Sequence, residues 1–277
     1  MLHHLYILVA GIVFGLANVI PGVSGGTMAV VFGLYERLID LVANLRTKWR
    51  KELPFILVFG LGAGIGILAF GKLMKWILAN YPTEANAFFI GIILGSIPML
   101  VRLTFKQGKK WHVSLANILP MLITFGIMIP MALTDTSGAK EAATAAQVTH
   151  FDLGYSLMCV LYGIIAISTM IIPGISGSFV MLLMGFYGTI IGAVADLNFL
   201  VLIPFAIGCL IGLFSVTKLI KWLLAKYAEP SYSAILGFVF GSILCIFPGW
   251  SAMLAFWPIL MVVVGVAAIT LCNRISG

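Results

Sequence analysis

Ile20-Pro21-Gly22-Val23-Ser24-Gly25-Gly26-Thr27 lies in a stretch that carries no Lys, Arg, Asp or Glu from Leu5 to Tyr35. Within it the chain cannot stay one helix. Pro21 removes a backbone donor and its ring clashes with the preceding turn, so a first helical arm ends there. The glycines permit positive φ and close approach of another group. Ser24 and Thr27 are placed to cap a second arm as it starts. The stretch therefore reads as helix, turn, helix, with the turn inside apolar sequence.

The same pattern returns as Ile172-Pro173-Gly174-Ile175-Ser176-Gly177-Ser178. At the same offset Phe32-Gly33-Leu34-Tyr35 matches Met184-Gly185-Phe186-Tyr187, and further on Pro54-Phe55 matches Pro204-Phe205 at a slightly shorter one. Lys72-Leu73-Met74-Lys75-Trp76-Ile77-Leu78-Ala79 then matches Lys218-Leu219-Ile220-Lys221-Trp222-Leu223-Leu224-Ala225. Gly91, Gly95 and Ser96 fall on Gly237, Gly241 and Ser242. Anchors in one order at nearly one offset mark a duplicated unit.

Composition says what solvent surrounds it. Of 277 residues, 62% are hydrophobic and 9% charged, where a soluble domain carries roughly 25% charged residues. With a mean hydropathy of +1.15, too few polar side chains exist to cover a water-facing surface. The fold class expected is an all-α integral membrane protein. The net charge of +7 falls in short clusters between apolar segments rather than on a basic face, which excludes nucleic acid as a partner. Met1-Leu2-His3-His4 has no Lys or Arg and no cleavage site follows, so a signal peptide is not expected. Cys159, Cys209, Cys245 and Cys272 are isolated in apolar runs, and His3, His4, His112 and His150 lack metal spacing. No cofactor, metal or catalytic group is expected.

Each unit holds one helical hairpin and three spans. Repeat one (1–133) has a hairpin over 5–45, with arms 5–20 and 27–45, and spans at 54–78, 86–103 and 113–133. A loop at 134–152 leads to repeat two (153–277), with a hairpin over 155–195, arms 155–172 and 179–195, and spans at 201–217, 232–250 and 253–272. A crossing needs about 20 residues. The arms are short for that and their joint carries no charge, so a re-entrant hairpin fits better than two ordinary spans.

Lysine and arginine counts orient the units. The 46–52 loop carries Arg46, Lys48, Arg50 and Lys51, and the 102–112 loop Arg102, Lys106, Lys109 and Lys110, so both belong inside. The 134–152 loop sets Lys140 against Asp135, Glu141 and Asp152 and belongs outside. Repeat two then starts outside, which puts Lys218, Lys221, Lys226 and Arg274 inside and makes twelve of the sixteen basic residues cytoplasmic, with both termini. Parallel units would leave those four outside. Inverted-topology repeats are an architecture of secondary transporters, with the substrate where the repeats meet.

At that meeting, the second arm of each hairpin points its free N–H groups at the turn, an arrangement that attracts phosphate or carboxylate. The alternative is that Gly and Ser simply let helices approach closely. Glu36 and Arg37 follow the first turn, where the second copy has Gly188 and Thr189. They lie either in a groove, with Glu36 a proton-coupling candidate, or among headgroups as a pair. Lys72 and Lys75 fall near one leaflet and Lys218 and Lys221 near the other, placed to handle anionic headgroups or merely snorkelling.

Asn18-Val19-Ile20-Pro21-Gly22-Val23-Ser24-Gly25-Gly26-Thr27, Gly33-Leu34-Tyr35-Glu36-Arg37-Leu38-Ile39, the second turn and Gly185-Phe186-Tyr187 resemble a bacterial membrane family. That family, formerly a domain of unknown function, is associated with polyprenyl-phosphate transport, and the resemblance covers essentially the whole chain. It implies a translocase in the bacterial plasma membrane that returns undecaprenyl phosphate from the outer to the inner leaflet for cell-wall synthesis. It is not an enzyme, and its partners are the lipid substrate and the membrane. Homo-oligomers stay open. Ser24, Gly25, Gly26, Thr27, Ser176, Gly177 and Ser178 are then the phosphate-binding residues, assisted by Arg37, with Lys72 and Lys218 receiving or releasing the headgroup. Ser178 stands where the first turn has Gly26, so the two turns differ in how closely they approach a phosphate. The competing reading is a secondary transporter of a small soluble anion. A lipid phosphatase would need the clustered His or carboxylates that the sequence lacks.

Overall fold

The computed structural model describes residues 2–19, 24–68, 73, 76–77, 80–107, 110–111, 114–134, 152–175, 177, 180–181, 184–195 and 197–276. Pro21, Gly22, Ser176, Ser178, Lys72, Lys75 and most of the 134–152 loop lie outside the described residues.

The segment expected to form the first hairpin holds α1 (Leu2–Val19), α2 (Gly25–Val31) and α3 (Tyr35–Ala43), followed by a short α4 (Leu45–Lys48) in the basic loop. Then come α5 (Leu53–Leu68) and α6 (Pro82–Phe105), a two-residue β ladder pairing Lys106 with Trp111 and Gln107 with Lys110, and α7 (Leu115–Leu133). The second half holds α8 (Leu153–Ile171), α9 (Tyr187–Ala195), α10 (Phe199–Lys226), α11 (Ala228–Ile246), α12 (Trp250–Met253) and α13 (Phe256–Ser276). Five of these, α6, α7, α8, α10 and α11, are long and apolar enough to cross a membrane. The protein is an all-helical, multi-pass membrane protein.

Several boundaries differ from expectation for local reasons. The span expected at 201–217 is the first part of a 28-residue helix that carries Lys218, Lys221 and Lys226 on its last turns. The span expected at 232–250 stops at Ile246, where Pro248 and Gly249, at φ +92°, turn the chain into α12. The second arm of hairpin one, expected as one helix over 27–45, is two. Gly33 sits at φ +63°, and the Leu34 N–H donates to the Ala29 carbonyl across the break at 2.8 Å. A helix closed by a left-handed glycine and a six-to-one bond of this kind has reached its C-terminus. The second copy repeats the break: Gly185 is at φ +70° and the Phe186 N–H donates to Met181 at 3.0 Å.

Glycines set which helices touch. Gly11 faces the Phe59 carbonyl, and Gly62 and Gly66 face those of Leu8 and Ile12, so α1 and α5 run side by side in one direction with no room for a Cβ. Gly163, Gly208 and Gly212 make the same contacts between α8 and α10, against Phe205, Val160 and Ile164. Gly91 and Gly95 of α6 lie on Val262 and Val266 of α13, and Gly237 and Gly241 of α11 lie on Met121 and Phe125 of α7. Thus α6 runs parallel to α13, and α11 parallel to α7. Each half lends its last long helix to the other. In α6 and α11 44% of the apolar stretch is buried, against 17% in α7, α8 and α10, so the first pair is central and the others face lipid. Trp76 on Tyr81 and Trp222 on Tyr227 repeat one edge-on contact in the two halves, with ring centres 5.8 and 5.7 Å apart.

Depth follows from the same contacts. Since Gly212 meets Ile164 and Ile167, Ile171 at the end of α8 is level with about residue 216 of α10. α10 continues to Lys226, about ten residues and, at about 1.5 Å each, roughly 15 Å further. The second Pro-Gly turn thus sits well short of that helix's end.

Candidate functional site at the paired turns

The two turns touch. Thr27 Oγ1, in the first turn of α2, accepts the backbone N–H of Gly174 at 2.7 Å across 147 residues of sequence. Beside it, a Cβ on Gly26 would lie 3.0 Å from the Ile171 carbonyl oxygen and 3.4 Å from Pro173 Cα, so a larger residue fits only if the facing backbone gives by a few tenths of an ångström. Gly174 holds φ +87° with the Phe238 carbonyl of α11 against it. Gly25 rests on the Asn18 side chain, whose Nδ2 donates to the Phe14 carbonyl at 2.8 Å, and Gly177 rests on Ala166 and Met170. Ser24, Gly25, Gly26, Thr27, Pro173, Gly174 and Gly177 are all buried.

Capping works differently from the expectation. Ser24 occupies the N-cap position of α2 with extended backbone, φ −99° and ψ 129°, but its side chain makes no capping bond. Its Oγ is buried, in a residue 5% exposed, and has no hydrogen-bond partner among the described residues. A buried hydroxyl left unmet costs about 1–3 kcal/mol. Thr27 spends its acceptor on the other turn rather than on its own helix. α2 is also only seven residues long, so a helix dipole supplies little here and local donors matter more.

The charged residues of the first hairpin, Glu36, Arg37 and Asp40, lie on α3, past the break that closes α2. Arg37 does not pair with Glu36. Its Nε and a terminal nitrogen donate to Glu52 Oε2 at 2.9 and 2.7 Å, and its guanidinium lies 4.0 Å from the centre of the Phe55 ring. Glu52 belongs to the basic 46–52 loop, so Arg37 fastens α3 to the start of α5. Glu36 is exposed and borders a cavity of about 160 Å³ lined by Gly33, Tyr35, Met99, Leu100 and Tyr232, at the break between α2 and α3.

Asp40, an ionisable residue one helical turn beyond Glu36 and Arg37, gains its partners only from the fold. One carboxylate oxygen takes Lys221 Nζ at 2.8 Å, and the other takes Lys48 Nζ. Asn44 Nδ2 adds a third donor at 2.9 Å. Hydrogen bonds from Lys221 and Lys48 hold the Asp40 carboxyl below the usual carboxylate range. Lys221, rather than Lys218, therefore joins the two halves; Lys218 is exposed on α10. Lys226 lies over Trp222 and Tyr227. Among the described residues no group of three or more His, Cys, Asp or Glu gathers that could hold a metal.

Residues 14–258 match the family described as VCA0040-like: Undecaprenyl phosphate translocase-like. A polyprenyl-phosphate transporter of Vibrio cholerae is 31% identical over 260 residues, covering 88% of this chain and 78% of its own. A polyprenyl-phosphate transporter of Staphylococcus aureus is 29% identical over 261 residues, covering 91% and 89%. No solved structure matches the chain.

Proposed function

The chain belongs to the undecaprenyl phosphate translocase-like family, and on that premise we propose that it moves undecaprenyl phosphate from the outer to the inner leaflet of the bacterial plasma membrane by alternating access. The tail stays in lipid while the phosphate crosses between the paired turns. The observation that carries this reading is the Ser24 hydroxyl, buried beside the contact between the turns and without a partner among the described residues. A phosphate oxygen is the acceptor it lacks. Thr27 Oγ1, which accepts from Gly174, keeps its own proton to donate. Gly25 and Gly26 offer backbone N–H groups, and Ser176, Gly177 and Ser178 are the matching group of the second turn. Lys72 near the outer leaflet and Lys218 near the inner one receive and release the headgroup. Arg37, fastened to Glu52, orders the inner mouth and assists there, and Glu36 at its small cavity is the proton-coupling group.

The architecture proposed is a pair of inverted repeats, 1–133 and 153–277, each a re-entrant hairpin with three spans, and both termini cytoplasmic. Two observations support it. In inverted units the second span of one half and the third of the other run the same way, as α6 with α13 and α11 with α7 do. The return arm of hairpin one also reaches the C-terminal end of α10 through Asp40 and Lys221, beyond the depth of the second turn. In parallel units that arm would sit level with the start of α10.

The test is transport of fluorescent polyprenyl phosphate across proteoliposome membranes. The wild-type chain should move it, and Ser24→Ala with Ser176→Ala should stop it while the protein stays folded. Transport that survives both replacements removes the turns from the site. Uptake of inorganic phosphate in place of lipid flipping would favour the soluble-anion reading.

A further inference from the structure

Asp40 occupies a cradle of three donors drawn from both halves of the molecule. Lys48 Nζ and Lys221 Nζ each hold a different oxygen of its carboxylate, and Asn44 Nδ2 donates to the oxygen that Lys221 holds, at 2.9 Å. Two ammonium groups on separate oxygens of one anion, with an amide beside one of them, also suit a phosphomonoester, which offers three oxygens and up to two charges. The cradle is reachable, since the side chains of Lys48, Lys221 and Asp40 are 44%, 41% and 35% exposed. It lies on α10 about five residues, or roughly 7 Å, past the depth of the second turn.

At the position matching Asp40 the second copy carries no acid. Where repeat one has Asp40, repeat two has Gly192, and a Cβ built on Gly192 would meet nothing within 4 Å. Lys75 stands at the position of Lys221, so the matching lysine of the other half has no acid at the matching place. A carboxylate that guards one leaflet and not the other is an asymmetry between otherwise matched halves.

We infer that Lys48, Lys221 and Asn44 form a phosphomonoester site on the cytoplasmic side, and that Asp40 is a tethered competitor for it. The inference rests on the proposed lipid-phosphate function and adds a release step. A phosphate leaving the turns displaces Asp40 from the two lysines. Asp40, held at high local concentration by its own helix, then takes them back and expels the headgroup. The exchange is ionic throughout, with no covalent bond made or broken. Because the device exists on one side only, it favours release there.

The experiment measures binding of a short-chain polyprenyl monophosphate, and separately of inorganic phosphate, to protein in phosphatidylcholine nanodiscs. Asp40→Asn should bind polyprenyl monophosphate roughly tenfold more tightly than wild type, because one charge-assisted competitor is gone. Lys221→Met added to Asp40→Asn should cancel that gain. In proteoliposomes Asp40→Asn should flip lipid more slowly, since release becomes slow, which a merely destabilised variant with weakened binding would not combine with tighter affinity. Asp40→Ala serves if the asparagine variant does not fold. A gain for the lipid alone assigns the site to the headgroup in its membrane setting, and a gain for both ligands assigns it to phosphate of either source. Unchanged or weaker affinity in folded Asp40 variants overturns the inference, as does a gain that persists without Lys221. If wild type flips lipid and Asp40→Asn gains nothing, only the competitor falls. If wild type flips nothing yet Asp40→Asn gains affinity, only the transport reading falls.

Discussion

Thr27→Val is the sharpest perturbation of the contact between the turns. Valine keeps the branched shape and loses only the hydroxyl. The Gly174 N–H, now 2.7 Å from Thr27 Oγ1, would face a methyl group instead. A buried donor left unmet costs about 1–3 kcal/mol in protein interiors. Between transmembrane helices the measured couplings are smaller, averaging about 0.6 kcal/mol, because the unfolded chain in the membrane finds other partners. Gly174 has little freedom to recover the loss: it is fixed at φ +87° with Phe238 packed against it. The expected destabilisation is therefore about 1–2 kcal/mol, between those limits. Reversible unfolding in mixed detergent and dodecyl sulfate micelles measures it, with lipid flipping followed in parallel. Thr27→Ser is the control. It gives up one methyl, about 0.8 kcal/mol, but keeps the hydroxyl and should keep flipping, whereas Thr27→Val should lose it several-fold. If Thr27→Val unfolds at the wild-type midpoint, the turns are not held by this bond.

Three further outcomes are expected. Gly62→Ala should destabilise by about 1–3 kcal/mol through overpacking on the Leu8 carbonyl, while Gly60→Ala, with nothing within 4 Å, should be neutral in the same unfolding assay. Ser24→Ala removes an unmet hydroxyl, so the ligand-free protein should be as stable as wild type or more so, while flipping falls about tenfold from the loss of one charge-assisted bond. The pH dependence follows from Asp40, whose folded pKa is depressed by Lys221 and Lys48. Its contribution is fully present above the ordinary carboxylate value of about 4 and is lost as pH falls through the depressed value. The thermal midpoint should be flat from pH 6 to 8, within roughly a degree for a group so far from its transition, then drop in acid, and Asp40→Asn should lack that acid limb.

Much of this was readable from local pattern. The duplicated Pro-Gly-x-Ser-Gly stretch, the matched lysine–tryptophan run and the glycine anchors each depend on neighbours close in sequence. So did the helical, membrane-embedded class, which composition alone dictates. The signal for the break in the second arm is also present, in Phe32-Gly33-Leu34-Tyr35 and its copy, where a glycine that aligns the two units also ends a helix in the left-handed region. The length of α10 was hidden because Lys218 and Lys221 lower hydropathy without ending the helix. What could not be read is what depends on distance along the chain. Arg37 looks like a partner for adjacent Glu36, yet Glu52 is fifteen residues away and better placed. The Thr27–Gly174 bond and the Asp40–Lys221 bridge join halves whose docking no local period encodes.

The central claim, that the paired turns hold a lipid phosphate, is tested most directly by an experimental structure with polyprenyl phosphate bound. Phosphate density is expected between the turns, with an oxygen about 2.7 Å from Ser24 Oγ and the prenyl tail leaving sideways between helices. Phosphate density confined to the protein surface, with Ser24 Oγ still unmet, would contradict it.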